Sequence, residues 1–276
     1  MSEDSADVKG TVMTEYTCTK VDLVSRYLHT PLVRSIVAYV VVTFFSLSFF
    51  KVLEARIVFD YLEPRKNEKV CDVACGCGEL SIRLIKRGCQ VVGTDFDKKS
   101  IAIAQAFSGK NSFALANAEK LPFKRGVFDK VVSVCALEHF SEGETALKEI
   151  YRILKPNGSV VLTVDSLTYP LPEHLVTAHR AKYHVSHYYS LPELKEKLTE
   201  LGFEVTNSKY FVNSPLAVSL FELSIRRPVM NAALFPLALI LSMLSDFAAG
   251  KPDMGIFLAI RARKTSPSEM VNVTAK

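Results

Sequence analysis

The sequence predicts an α/β fold in which helices cover a mostly parallel sheet. After Pro64, short apolar runs alternate with helical patterns, which is typical of βαβ units. A glycine turn joins the first of these strands to the first of these helices. The chain of 276 residues is also long enough to bury a core of ordinary size without disulfides.

The elements follow from apolar runs, helical periodicity and end signals. We predict strands near residues 69–73, 89–94, 112–116, 128–135, 159–165, 203–211 and 255–263. Helices are predicted near residues 79–86, 98–107, 143–154 and 191–201. Residues 156–158 are expected to turn the chain after the third of these helices, and Gly202 is expected to cap the fourth.

Apolar segments flank this core and divide the chain into six parts. We expect a loose tail at residues 1–20, a hydrophobic and amphipathic helical segment at 21–63, and the main core at 64–211. A hydrophobic helical insertion at 212–254 precedes the final core strand at 255–264, and a second tail covers 265–276. The first tail lacks the basic region and the cleavage site of a secretory signal peptide.

Charge and cysteine content exclude some classes of function. The net charge of +5 is spread along the chain, so no nucleic-acid partner is predicted. The six cysteines form no paired framework, which indicates free thiols in a reducing, cytoplasmic compartment. No metal is predicted at Cys71, Cys75 and Cys77, since no second Cys/His pair follows them at zinc-site spacing.

A glycine-rich turn at residues 70–79 is the strongest functional signal. Here a buried strand leads into Gly76 and Gly78 and then into a helix, so backbone amides can approach a ligand closely. Asp95 ends the next strand 17 residues after Gly78, where a carboxylate can accept hydrogen bonds from both hydroxyls of a ribose. A nucleotide-like cofactor is therefore predicted, with these candidate contacts: Asp72, Ala74, Cys75, Gly76, Gly78, Asp95 and Phe96.

A nicotinamide dinucleotide is the alternative cofactor for this topology. Its fingerprint needs a third glycine, and that position is Ser81. The pattern therefore favours a cofactor without a pyrophosphate.

These residues resemble the class I S-adenosylmethionine-dependent methyltransferases, particularly the group with quinone-ring and small-molecule enzymes. The resemblance covers roughly residues 70–211. It implies a Rossmann-like seven-stranded sheet with the last strand antiparallel, in an α/β/α sandwich with added hydrophobic helices. It also implies that residues 74–78 bind the methionine part of S-adenosyl-L-methionine and that Asp95 binds its ribose.

Further segments of the chain also resemble motifs of this family. Residues 117–123 match Asp-Ala-Glu-X-Leu-Pro-Phe, in which the first acid contacts the adenine amino group, although this chain has Asn117 there. An amide oxygen can still accept from that group. Residues 152–158 match a family turn that we interpret as structural. The remaining cofactor contacts that we predict are Ala118, Glu119 and Cys135.

The resemblance implies that the side of the site that holds the methyl acceptor is lined by Glu138, His139, His184 and Tyr188. Methyl transfer from a sulfonium mainly requires that two reactants be oriented and desolvated, so a base is optional. A neutral histidine could take a proton from a phenol or an activated ring carbon. His139 is the first catalytic candidate and His187 the second, and the alternative for these residues is packing.

Two apolar segments suggest where the acceptor comes from. Residues 31–50 are mostly apolar, and residues 228–244 are uncharged and nearly long enough to cross a bilayer. A single crossing is excluded, because the strands on both sides of the insertion pair in one sheet. We therefore expect a peripheral or monotopic enzyme at the inner face of the membrane, acting on a hydrophobic small molecule such as a lipid or quinone.

Other functions remain open. The apolar segments could form a cover or a dimer contact on a soluble enzyme, or the fold could bind a cofactor or lipid without catalysis. The sequence does not determine the oligomeric state.

Overall fold

A computed structural model describes residues 49–108, 112–226 and 235–266. The first predicted tail, most of the second and most of the apolar segment at 31–50 lie outside these residues. In the described part, seven strands form one sheet in the order β3-β2-β1-β4-β5-β7-β6. The strands are β1 Lys69–Val73, β2 Gln90–Asp95, β3 Phe113–Leu115, β4 Phe128–Val134, β5 Leu154–Asp165, β6 Phe203–Phe211 and β7 Phe257–Lys264.

Helices connect most of these strands. They are α1 Phe49–Leu62, α2 Glu79–Lys86, α3 Lys98–Ser108, α4 Gly143–Ile153, α5 Glu173–Tyr183, α6 Leu191–Glu200, α7 Pro215–Arg226 and α8 Phe235–Ala249, with a short 3-10 helix at Leu137–His139.

The strand directions confirm the predicted fold class. β1 pairs in parallel with β2 and with β4. β2 also pairs in parallel with β3, and β4 with β5. β7 lies antiparallel between β5 and β6, so the last strand of the chain runs against its neighbours. The carboxyl ends of β1, β2, β4 and β5 therefore meet at one edge, where ligands of this topology bind.

The core lies on both faces of the sheet because side chains alternate along buried strands. Val131 belongs to a buried cluster with residues of α4 and α6. Its neighbour Val132 belongs to a cluster with Val58 of α1 and Leu84 of α2 on the opposite face. Each fully buried aliphatic side chain contributes about 1.5–3 kcal/mol to stability. This two-sided burial produces the α/β/α sandwich.

Two elements differ from the sequence prediction. β5 begins at Leu154, so the residues predicted as a turn, 156–158, lie within that strand. The register of β4 against β5 shifts between Phe128 and Lys130, and Asn157 has a positive φ of 62°. The turn-like backbone that the sequence predicts at this point is therefore an irregularity within β5. Residues 173–183, which lie between the predicted elements, form the three-turn helix α5.

The family turn has the structural role that we predicted for it. The Arg152 guanidinium binds the Glu149 carboxylate through Nε and Nη2 and donates to the carbonyls of Phe123 and Leu121. Arg152 thereby ties α4 to the chain that leads into β4.

The insertion between β6 and β7 contains α7 and α8, which pack together, and α8 also packs on α1. Among the described helices, none combines the length and the apolar character that a membrane span requires.

Candidate active site

The turn after β1 keeps space open beside its backbone. Gly76 has a φ of +53°, and a Cβ built on it would meet no atom within 4 Å. Gly78 has a φ of +78°, and a Cβ there would lie 2.7 Å from the ring of Phe113. The first glycine therefore leaves room for a ligand, while the second allows β3 to pack against the turn.

Asp95 joins the ends of β1 and β2. Its Oδ2 accepts a 2.8 Å hydrogen bond from the Gly76 N–H, and its Oδ1 accepts one from the Asp97 N–H. Burial raises the pKa of this carboxyl. Because each carboxylate oxygen has a second lone pair, Asp95 can also accept hydrogen bonds from the two hydroxyls of a ribose.

Asp72 lies beneath the turn. It is buried, and its Oδ2 accepts a hydrogen bond from the Ser81 hydroxyl of α2. Burial raises the pKa of Asp72 to about 7. Asp72 thus connects β1 to the first turn of α2, which holds the glycine turn in place.

Exposed apolar surface lies at the ends of β2 and β3. Phe96 is 50% exposed and Leu115 is 56% exposed, both unusual for large apolar side chains next to a core. The Asn117 side chain accepts from the Glu119 N–H. A flat heterocycle beside Phe96 and Leu115 would cover this surface. The residues present therefore fit the adenosyl part of S-adenosyl-L-methionine.

Other predicted cofactor residues surround this position. Ala118 is buried, and the Glu119 carboxylate accepts from the Ser141 hydroxyl. Ala74 has a φ of 58°, and the Cys75 Sγ lies 3.6 Å from the carbonyl oxygen of Gly76. Ala74 and Cys75 belong to the turn itself, and the cofactor roles of all four residues stay predictions.

The acceptor side begins at the 3-10 helix after β4. Glu138 is fully buried, and its Oε1 accepts from the backbone N–H of Asp165 at the end of β5. The Nδ1 of His139 lies 3.4 Å from the carbonyl oxygen of His184. Burial lowers the pKa of His139 and raises that of Glu138 to about 7. The structure thus brings together three of the four predicted acceptor residues.

The chain after α5 packs against this helix. The Glu138 carbonyl accepts from the backbone amides of Ser186 and His187. The Tyr188 hydroxyl lies 3.1 Å from Nδ1 of His179. The Nε2 of the same histidine lies 3.7 Å from the Asp165 carboxylate. Burial lowers the pKa of His179 to about 4. Tyr188 therefore reaches this side of the site through His179.

Cys135 lies at the end of β4, where we predicted a cofactor contact. In the structure its Sγ lies 2.8 Å from Oε1 of Glu54 on α1, and the Thr163 hydroxyl donates to the same oxygen. The cofactor role of Cys135 stays a prediction.

His187, the second catalytic candidate, lies apart from the other candidates. Its side chain is 52% exposed and pairs with Glu193 on α6 at 2.8 Å. Its catalytic role also stays a prediction.

Sequence reasoning missed four buried residues of the acceptor side: Glu54, Thr163, Asp165 and His179. Asp165 carried a usable signal, because it ends a predicted strand at the same edge as Asp95. Glu54 carried no comparable signal, because Lys51, Arg56 and Asp60 also place charges in its helical stretch.

Comparison with known proteins agrees with this geometry. Residues 71–162 match the family described as "Methyltransferase domain". The chain is 32% identical over 154 residues to an O-methyltransferase of Aspergillus sclerotiorum, covering 52% of this chain and 58% of that protein. It is 37% identical over 123 residues to a demethylmenaquinone methyltransferase of Thermus thermophilus, covering 42% of this chain and 54% of that one. The chain thus spans somewhat more than half the length of the curated relatives it matches.

A solved structure supports the fold. The geranyl diphosphate C-methyltransferase of Streptomyces coelicolor, crystallised with S-adenosyl-L-homocysteine, has a TM-score of 0.57 and 14% identity, covering 78% of this chain and 79% of that one. The chain therefore contains a methyltransferase domain of the class I fold, and the predicted class is confirmed for that domain. S-adenosyl-L-methionine is its cofactor.

Proposed function

We propose that this chain transfers a methyl group from S-adenosyl-L-methionine to a hydrophobic small molecule taken from a membrane surface. The observation that carries the proposal is the edge shared by β1, β2 and β4. There the Gly76–Asp95 hydrogen bond joins the ends of β1 and β2, and His139 lies in the 3-10 helix that follows β4.

His139 is suited to take a proton from the acceptor. If Nδ1 carries the ring proton and donates it to the His184 carbonyl, Nε2 keeps its lone pair. Among the described residues, Nε2 is buried without a hydrogen-bond partner. S-adenosyl-L-methionine supplies the electrophilic methyl group when it is bound. The protein's own residues then orient the acceptor and exclude water.

An exposed apolar face supports the membrane part of the proposal. Leu237, Ile240, Leu244 and Phe247 recur at helical spacing along α8, and Phe247 is 92% exposed. The exposed Arg226 ends α7, and the exposed Lys251 follows α8. An apolar helical face with flanking cations suits the interface of an anionic bilayer. β6 and β7 pair along their whole length, so both ends of the insertion stay on one side of such a bilayer.

The activity is tested with methyl-labelled S-adenosyl-L-methionine and separate lipid, quinone, water-soluble and protein fractions. We expect label in a lipid or quinone fraction. Label confined to water-soluble metabolites or protein would contradict the hydrophobic acceptor, and complete retention on the cofactor would contradict methyl transfer.

Membrane binding is tested separately by flotation with vesicles of phosphatidylcholine and phosphatidylglycerol. The double variant Leu244→Ser with Phe247→Ser should lose flotation. Phe107→Ser removes another exposed aromatic side chain, on α3, and should float like the unaltered protein. Equal flotation of the double variant would contradict membrane binding through this face of α8. A stable dimer that dissociates when these residues are replaced would instead favour a dimer contact.

A further inference from the structure

We infer that Cys135, Glu138 and Asp165 form a binding site for a divalent cation of the zinc type. One candidate ligand atom from each residue lies within 4.8 Å of the others. Zinc bonds are about 2.3 Å to sulfur and about 2.0–2.2 Å to carboxylate oxygen, so the three side chains would draw closer together around one ion. This site shares Cys135 and Glu138 with the predicted cofactor and acceptor contacts, but zinc content can be measured without methyl transfer, so the two proposals fail separately. The site differs from the cysteines of the glycine turn, where the sequence predicts no metal.

An unsatisfied atom within the cluster provides the second observation. Glu138 has no exposed surface, and its Oε2 has no hydrogen-bond partner among the residues that the structure describes. Burying a carboxylate oxygen without a partner is costly, because it loses the hydration that it has in the unfolded chain. A cation bound by Glu138 would remove that cost.

The charges around the cluster also call for a cation. Lys51 pairs with Glu54 at 2.8 Å and so balances that carboxylate. Among the described residues, the basic side-chain nitrogens within 4 Å of the Asp165 and Glu138 carboxylates are those of His179, at 3.7 Å, and His139, at 4.0 Å. Both distances exceed a hydrogen bond, so neither histidine neutralises its carboxylate.

The residue types favour zinc over magnesium or calcium. A thiolate is a soft ligand that hard cations avoid, whereas zinc accepts sulfur and carboxylate oxygen together. Glu54 Oε1, at 2.8 Å from Cys135 Sγ, is the nearest candidate for a fourth ligand. The ion would then tie α1 to the ends of β4 and β5.

Metal content of the tag-free full chain tests the inference directly. The protein is loaded with zinc chloride, dialysed against metal-free buffer and analysed by mass spectrometry for zinc. We expect about one zinc per chain, and a higher Tm with zinc than after treatment with a chelator. Loading with cobalt instead should give a near-ultraviolet thiolate-to-metal absorption band. Zinc below about a tenth of an equivalent in the folded, unaltered protein would overturn the inference and leave a protonated acid cluster.

Variants identify the ligands. Cys135→Ser should weaken zinc binding at least about tenfold and abolish the cobalt band. Cys89→Ser is the matched control, since this thiol lies before β2 at the other edge of the sheet and contacts the Arg65 carbonyl. Cys77→Ser controls for binding at the glycine turn, and both controls should keep the metal. Circular dichroism confirms folding of each variant. Unchanged binding in folded Cys135→Ser, or loss in a folded control, would overturn the assignment.

Discussion

The Ser81 hydroxyl donates a 2.6 Å hydrogen bond to Oδ2 of Asp72. Ser81 occupies the position at which a dinucleotide-binding turn has its third glycine, and it is fully buried. The side chain that breaks the dinucleotide pattern therefore holds the acid beneath the cofactor turn.

The raised pKa of Asp72 makes stability depend on pH. Its pKa rises from 3.8 to about 7 in the folded chain because it is buried. The folded state thus holds its proton more tightly than the unfolded chain, and the resulting stabilisation is present below pH 3.8 and lost as pH rises through 7. Asp72→Asn should remove up to about 1.4 kcal/mol per pH unit of this decline.

Urea unfolding of Asp72→Asn and the unaltered protein between pH 4 and pH 8 measures this difference. Asp129→Asn is the opposite control, because hydrogen bonding to Lys155 holds the pKa of Asp129 below its usual value despite some burial. The stability that it contributes is lost as pH falls. The same pH slope in Asp72→Asn and the unaltered protein would contradict the prediction.

Cofactor affinity should depend on Asp95. Asp95→Ala removes the acceptor of the ribose hydroxyls and the partner of Gly76, so we expect S-adenosyl-L-methionine to bind about ten- to a hundredfold more weakly. Calorimetric titration measures this loss. Asp253→Asn, an exposed acid beyond α8, should bind like the unaltered protein. Full affinity in folded Asp95→Ala would exclude the proposed ribose contact.

Alanine substitutions at Gly78 and Gly126 distinguish the cost of steric crowding from the cost of backbone strain. Both have a positive φ, +78° and +69°, but a Cβ at Gly126 would meet no atom within 4 Å. Gly78→Ala should therefore lose about 1–3 kcal/mol more stability than Gly126→Ala, because its methyl group meets the Phe113 ring. Equilibrium denaturation compares them. Equal losses would show that the ring moves aside without cost.

The two histidine candidates should differ in their kinetics. Once an acceptor is found, His139→Gln should lower kcat by about 10²-fold or more while cofactor affinity stays the same. His187→Gln should change kcat little, because its side chain is half-exposed and paired with Glu193. Steady-state rates at saturating cofactor decide between them, and the reverse order would move the catalytic role to His187.

Much of the fold could be predicted because its information is local. The predicted bounds of β1 and β6 match the observed ones, and the glycine turn lies where its spacing indicated. α5 was missed because Leu175 and His179 are its buried residues, so it lacks a strong apolar stripe, and no side chain caps its start. The start of β5 was missed because a strand irregularity resembles a turn in sequence.

The site was harder to predict where it depends on distant partners. Asp95 and the glycines carry a local spacing, whereas Glu54 meets Thr163 across 109 positions of the chain. Nothing near Glu54 in the sequence indicates that partner. The interaction partner of a charged residue that lies far away in sequence can be identified only once the fold is known.

Phe211 pairs with Phe257 at the point where the insertion leaves and rejoins the sheet. Because the two anchor points are neighbours, the forty-odd residues between them begin and end at one place on the sheet. The insertion can therefore change during evolution, and with it the surface that the protein presents to its surroundings. The glycine turn that binds the methyl donor lies on other strands and need not change.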